Sequence, residues 1–306
     1  MTNTIQPTPE SEITEQRSEQ ESPIFYVEHR TLSETRFTIV LWEHIDANAE
    51  ALAEALKNCS VLAIEQPGHN NEGERRDAEK STIKPGDEGE KIEQAIGSLI
   101  TRPGGNVRAA AYIDIHQDHP DFHLLEDARA ARDAYYSSIA GAESVATSRE
   151  KLLVEAHASA LADRTRDTIL KKQLALLANH VGDADIGVAL GAFHYHAIED
   201  LQETEPGQQQ KIAEKIKAQY NHFSKIQQAF YDDREPDEAD INRVLLASHM
   251  RASGVILNDP QSLDADTTQR VLTQLDRTIA SHEDHLEKLK AIHAYLKTVA
   301  DMLNEG

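Results

Sequence analysis

Four apolar runs, each ending on ionisable side chains, constrain this chain more than any other feature. IGVALGAFH, Ile186 to His194, passes through Gly191 and stops on a histidine; TIVLWEH ends at Glu43 and His44, SVLAIE at Glu65 and AAAYID at Asp114. Short runs without polar alternation are strands buried on both faces, as in a parallel sheet covered by helices. Ligands of such open sheets bind beyond the carboxyl ends of the strands, so the four tips are expected to converge on one crevice. Taken singly, each tip reads as a residue that caps a strand end through a hydrogen bond. Recurrence at four tips turns the reading into a shared polar site, with Asp114, His116 and His196 as further pocket candidates.

The sequence between these runs predicts an α/β domain over 24–202. Residues 1–23 are rich in Thr, Glu, Gln, Ser and Pro with almost nothing to bury, which predicts a disordered tail. Ile24 to Val27 and Arg36 to Trp42 are strand-like and form a hairpin, and the Ala/Leu spacing of Asn48 to Lys57 makes a helix that completes a βαβ unit with SVLAIE. Gly68 to Lys91 reads as a surface insertion, and Lys91 to Ile100 as a short helix. Asp121 is placed to cap a long helical block with breaks near Gly141 and Ser148, hence three helices before the Ile186 strand. Residues 203–306 are helical in pattern. Ile212, Ile216, Phe223, Ile226 and Phe230 form one stripe, Ile241, Val244 and Leu245 another, and Leu272 to Leu303 step by three and four like a coiled-coil seam. The expected fold is therefore α/β, a mostly parallel sheet with flanking helices, followed by a C-terminal helical bundle or coiled-coil appendage. The seam is expected to lie in one last helix that folds back on the stripes of its own chain.

Charge narrows the partners. With 53 acidic against 31 basic residues the formal charge is -22, which opposes phosphate backbones and anionic membranes. Cys59 is alone, and no run approaches the length of a membrane span or the make-up of a signal peptide. These observations point to a cytoplasmic protein with no nucleic-acid or membrane partner; a small molecule or peptide is the substrate expected of the strand-end site.

Imidazoles and carboxylates on rigid strand ends suit a divalent ion such as manganese, zinc or cobalt, and His44, His194 and Glu65 are the first choices as ligands. Arg166 heads an otherwise apolar helix stripe of Leu170, Leu174, Leu177 and Val181. A buried guanidinium there requires a carboxylate such as Glu43 or Glu65, or an anionic substrate group; a guanidinium that reaches back to water from the helix end does not. His116, Asp118, His119 and His123 read as loop chemistry leading into a helix rather than as a metal cluster. His282 and His285 are three apart, so they do not form the HExxH zinc motif.

Laid out in order, Glu43 and His44, Glu65 and Pro67, Arg166 with Asp167, and Gly191 with His194 resemble the motif set of the TraB/Tiki superfamily, which also holds erythromycin esterases and ChaN-type haem-binding lipoproteins. Asp114 matches the aspartate that follows the third strand in TraB-like members. The resemblance covers about Thr38 to Leu201. Leu41, Trp42 and Ala197 stand where the family has glycines, which crowds the crevice. It implies a metal-dependent hydrolase or protease in some branches and a metal-free esterase or haem binder in others. On the first reading His44 and His194 hold the ion, Glu43 or Glu65 is ligand or general base, and Arg166 steadies an acid or a developing oxyanion. On the second, the pocket binds haem or a small anion, or is a relic while the C-terminal helices dock a partner protein.

Overall fold

The computed structural model describes residues 25–43, 46–65, 90–101, 105–203, 207–256 and 264–304. The tail, His44, Pro67 and the 68–89 insertion fall outside them. Six strands form one sheet: β1 (Phe25–Leu32), β2 (Thr35–Trp42), β3 (Val61–Ile64), β4 (Ala109–Tyr112), β5 (Asp185–Gly191) and β6 (Gln202–Glu203), in the order β4-β3-β5-β2-β1-β6. β4, β3, β5 and β2 run parallel, whereas β1 is antiparallel to both β2 and β6. The sheet is thus mixed rather than mostly parallel. The reason is the hairpin, which extends to Leu32, turns over Ser33 and Glu34 with Ser33 at φ 55°, and adds a reversed strand at one edge. That edge is closed by charge. Arg30 and Glu28 are both buried on β1, their side chains 2.7 Å apart, and Arg30 Nη1 donates to Leu201 O at 3.1 Å.

Helix α1 (Ala49–Leu56) connects β2 to β3, and α2 (Glu90–Thr101) precedes β4. Leu52, Leu56 and Leu99 cover one face of the sheet against Val40, Trp42, Leu62, Ile64 and Ala189. The approach is close enough that a Cβ on Gly187 would meet Cys59 Sγ, Leu56 Cδ2 and Leu62 Cδ2 at 3.0 Å.

Two helices, not three, fill the block before β5: α3 (His123–Ala140) and α4 (Val145–Val181). Ser144 caps α4 by accepting from Thr147 N at 3.1 Å, so Ser148 lies inside its first turn and donates no break; its hydroxyl meets Ser138 Oγ at 3.1 Å. Asp121 does not cap α3: it lies in a 3-10 turn, Pro120–Phe122, capped by His119 Nδ1 accepting from Asp121 N at 3.2 Å, and α3 follows from Phe122 with no side-chain cap. α4 has 37 residues and spans about 55 Å. Its C-terminal half packs Leu170, Leu174 and Ala178 on the second face of the sheet with Ile212 and Ile216 of α5 (Gln208–Ala218). Its N-terminal half packs Leu152 and Ala156 into a separate helical core.

That core is completed by α3, α6 (His222–Tyr231), α7 (Glu238–Ala252), α8 (Ala265–Ala280) and α9 (His285–Asn304). It takes in residues on both sides of position 203. The expected single last helix is two, because Asp284 starts a new one by accepting from Glu287 N at 3.0 Å. The buried seam accordingly changes register. Leu272, Leu275 and Ile279 continue into Ile292, Leu296 and Val299, while Leu286 and Leu289 are exposed. The stripe expected from Ile212 to Phe230 also divides, with Ile212 and Ile216 on the sheet and Ile226 in the helical core. No helix among the described residues is long and apolar enough to cross a membrane.

Candidate functional site

Because β2, β3, β4 and β5 are parallel, their carboxyl ends share one edge. Glu65 directly follows β3, Asp114 lies two residues beyond β4, and His194 sits in the 3-10 turn Ala192–Ile198 that leaves β5. α4 crosses this edge at its middle, where Asp163, Arg166 and Asp167 occupy one face by their three- and four-residue spacing. One buried ionic network results. Arg166 Nη2 donates to Glu65 Oε1 and, at 2.6 Å, to Asp114 Oδ2, with Asp163 Oδ1 3.6 Å from Nη1. Glu65 Oε2 also accepts from Gly191 N, and Asp114 Oδ1 from Ile115 N at 2.6 Å. His194 lies between two carboxylates, Nδ1 2.6 Å from Asp167 Oδ1 and Nε2 3.3 Å from Glu65 Oε1.

Burial works against charge on His194, but Glu65, and the hydrogen bonds to Asp167 and Glu65, outweigh it and raise the ring well above its ordinary pKa. The surroundings thus favour the protonated ring, with Nδ1 facing Asp167 and Nε2 facing Glu65. Burial likewise opposes the Arg166 charge, and Glu65 with Asp114 overcomes it, so Arg166 stays charged. Burial raises Asp163 despite His194 and Arg166. The core of this network is 9% exposed or less at Glu65, Asp114, Asp167 and His194.

The structure brings together Glu65, Asp114, Arg166 and His194 of the expected set. His44 lies outside the described residues. Glu43 directly follows β2 at the same edge, where its carbonyl accepts from Asn48 Nδ2 at 2.9 Å, and the carboxylates on Arg166 are Glu65, Asp114 and Asp163. His116 stays in its loop, Nδ1 accepting from Asp118 N at 3.1 Å. His196 binds Glu199 Oε1 at 2.7 Å and stacks on Tyr231, ring centroids 4.9 Å apart, beside the network rather than in it. Sequence reading gave no place to Asp163 and Tyr231. Tyr231 Oη donates to Asp167 Oδ2 at 2.6 Å, and Gln227 Nε2 to Asp163 Oδ2 at 2.5 Å. Asp163 was legible in principle as an acid one turn before Arg166; Tyr231 sits in a stretch with Phe223, Ile226 and Phe230 that reads as ordinary packing.

A divalent ion or a haem iron would need a free donor atom on these residues. A metal-binding imidazole is neutral and presents a free lone pair, whereas both nitrogens of His194 face carboxylates. The oxygens of Glu65 and Asp114 are engaged by Arg166 and backbone N–H groups. No three His, Cys, Asp or Glu side chains among the described residues form a metal-ligand group. As arranged, neither ring nitrogen of His194 offers a metal a free lone pair. Haem meets the same obstacle as an axial ligand of His194, both of whose ring nitrogens face carboxylates. No family model matches this chain, and neither the curated proteins nor the solved structures contain a significant match to it.

Proposed function

We propose that the protein hydrolyses an ester or peptide bond in a small molecule or peptide, with Glu65 and His194 as a metal-free acid–base pair. The observation that carries this reading is His194 held between Asp167 and Glu65 at the carboxyl edge of the parallel strands. Removing charged groups from water costs several kcal/mol per ion, more than capping a strand end requires, and such clusters mark sites of chemistry.

In the proposed reaction Glu65 accepts a proton from water as the water oxygen bonds to the acyl carbon. His194 gives its Nε2 proton to the leaving oxygen or nitrogen as that bond breaks. The proton on Glu65 then passes to His194 across the 3.3 Å contact, returning both groups to their starting forms. Asp167 orients the ring through Nδ1, and Arg166, beside Glu65, steadies the developing oxyanion. The resemblance to the TraB/Tiki superfamily supports this reading through its metal-free esterase branch.

The test is hydrolysis of a panel of activated esters and chromogenic peptides by wild type, His194→Ala and Glu65→Gln, with and without chelator. Hydrolysis by wild type should fall at least 100-fold in either variant, the scale of general acid–base catalysis, and should not respond to chelator. Activity that survives His194→Ala, or that chelator abolishes, contradicts the proposal.

A further inference from the structure

The hydrogen bonds of the site do not end on the sheet and α4. Two successive turns of α6 reach the two carboxylates that flank Arg166, Gln227 to Asp163 and Tyr231 to Asp167, with the same four-residue step on each helix. The Tyr231 ring is held on several sides. His196 stacks on it at 14°, the Arg164 guanidinium lies 5.5 Å from its centroid, and Arg164 Nη2 also donates to Phe230 O at 3.1 Å and to Tyr231 O. Burial, with the nearby Asp167 charge, keeps the phenol protonated and hence a donor.

We propose that Tyr231 is a positioning residue of the acid–base centre: by donating to Asp167 Oδ2 it orients that carboxylate so that Oδ1 receives the Nδ1 proton of His194. An aspartate linked to a ring through one oxygen alone remains free to turn about its last torsion. A second donor on the other oxygen removes that freedom, as outer-shell partners do for the ligands they hold. The C-terminal helices thereby complete the site. This inference rests on His194 being the acid of the reaction, and it assigns to the helical core a part in chemistry that the strand-end motifs do not contain.

Tyr231→Phe tests it, because the substitution keeps the stacked ring and deletes only the hydroxyl. Two readouts apply: the far-downfield proton resonance of the short His194 Nδ1–H bond, and kcat and KM on whichever activated ester wild type hydrolyses. The resonance should move upfield or broaden away, and kcat should fall about tenfold, the effect of one charge-assisted hydrogen bond, with KM within about twofold. Gln227→Leu cuts the neighbouring link of the same helix and should leave the resonance in place. An unchanged resonance and kcat in Tyr231→Phe overturns the proposal. Equal loss in both variants also overturns it, since loosened helix packing then explains the effect. Should Tyr231→Phe melt below the assay temperature, fluorotyrosine in place of tyrosine alters hydroxyl acidity without deleting an atom, and the resonance must still shift. If His194→Ala retains hydrolysis, the acid–base reading falls on that result alone, while the resonance still decides whether Tyr231 orders Asp167.

Discussion

At the scale of single residues, Arg166 is the cation on which three carboxylates depend. Replacing it by Met leaves Glu65, Asp114 and Asp163 together without their guanidinium, and the melting curve should show a loss of about 3–5 kcal/mol. Arg166→Lys should recover only part, because a point charge cannot donate from several fork positions to Glu65 and Asp114 together. His194 adds a pH dependence of defined sign. Its folded pKa is raised, so the folded state binds the extra proton, and the contribution is fully present below the unfolded value of about 6.5. It is lost as pH rises through the folded pKa. Wild type should therefore lose stability as pH climbs above about 6.5, and this slope should be shallower in His194→Gln on thermal melts taken across that range. Glu65, Asp114, Arg166 and His194 were readable in the sequence because each interrupts an apolar pattern at a place where the pattern must end or turn inward. Tyr231 was not. Its partner Asp167 is 64 positions away, and a tyrosine within an amphipathic helix carries no local mark of its hydrogen bond.

At the scale of elements, the strand runs, their order along the chain and the β1–β2 hairpin followed from the sequence pattern, but the two-residue edge strand β6 on the outer side of β1 did not. A hairpin whose second strand joins a parallel sheet is mixed by construction, and the length of β1 depends on pairing that extends through Leu32. The division of the last helix had a local signal, Asp284 followed three residues later by Glu287, which the three–four stepping of leucines across it concealed. Register has a consequence for mutagenesis. Leu296 is fully buried and Leu289 37% exposed, so Leu296→Ala should cost about 2–5 kcal/mol in denaturant unfolding while Leu289→Ala costs under about 1. Equal losses at the two positions would contradict the observed register. In β5, Gly187→Ala should cost about 1–3 kcal/mol, because the added methyl meets two leucines and Cys59 at 3.0 Å.

At the scale of the whole molecule, α4 belongs to two cores at once. Leu170 and Leu174 pack on the sheet, Leu152 and Ala156 in the helical bundle, and the charged site occupies the stretch between them. A division at residue 203, natural from composition, separates α3 and α4 from the helices that cover them. A chain ending there exposes Tyr135, Ile139, Leu152 and Ala156, and should lack the single cooperative transition expected of the full chain in calorimetry. Contact between segments 64 and 171 residues apart decides where a boundary falls, and periodicity within one segment holds no record of it. Nitrogen NMR of histidine-labelled protein reads the state of His194 directly, once the signal is assigned by its absence in His194→Gln. At about pH 7, where an ordinary histidine is mostly neutral, both ring nitrogens of His194 should still be protonated. A neutral ring at that pH would contradict the carboxylate–imidazolium–carboxylate arrangement and the acid–base role drawn from it.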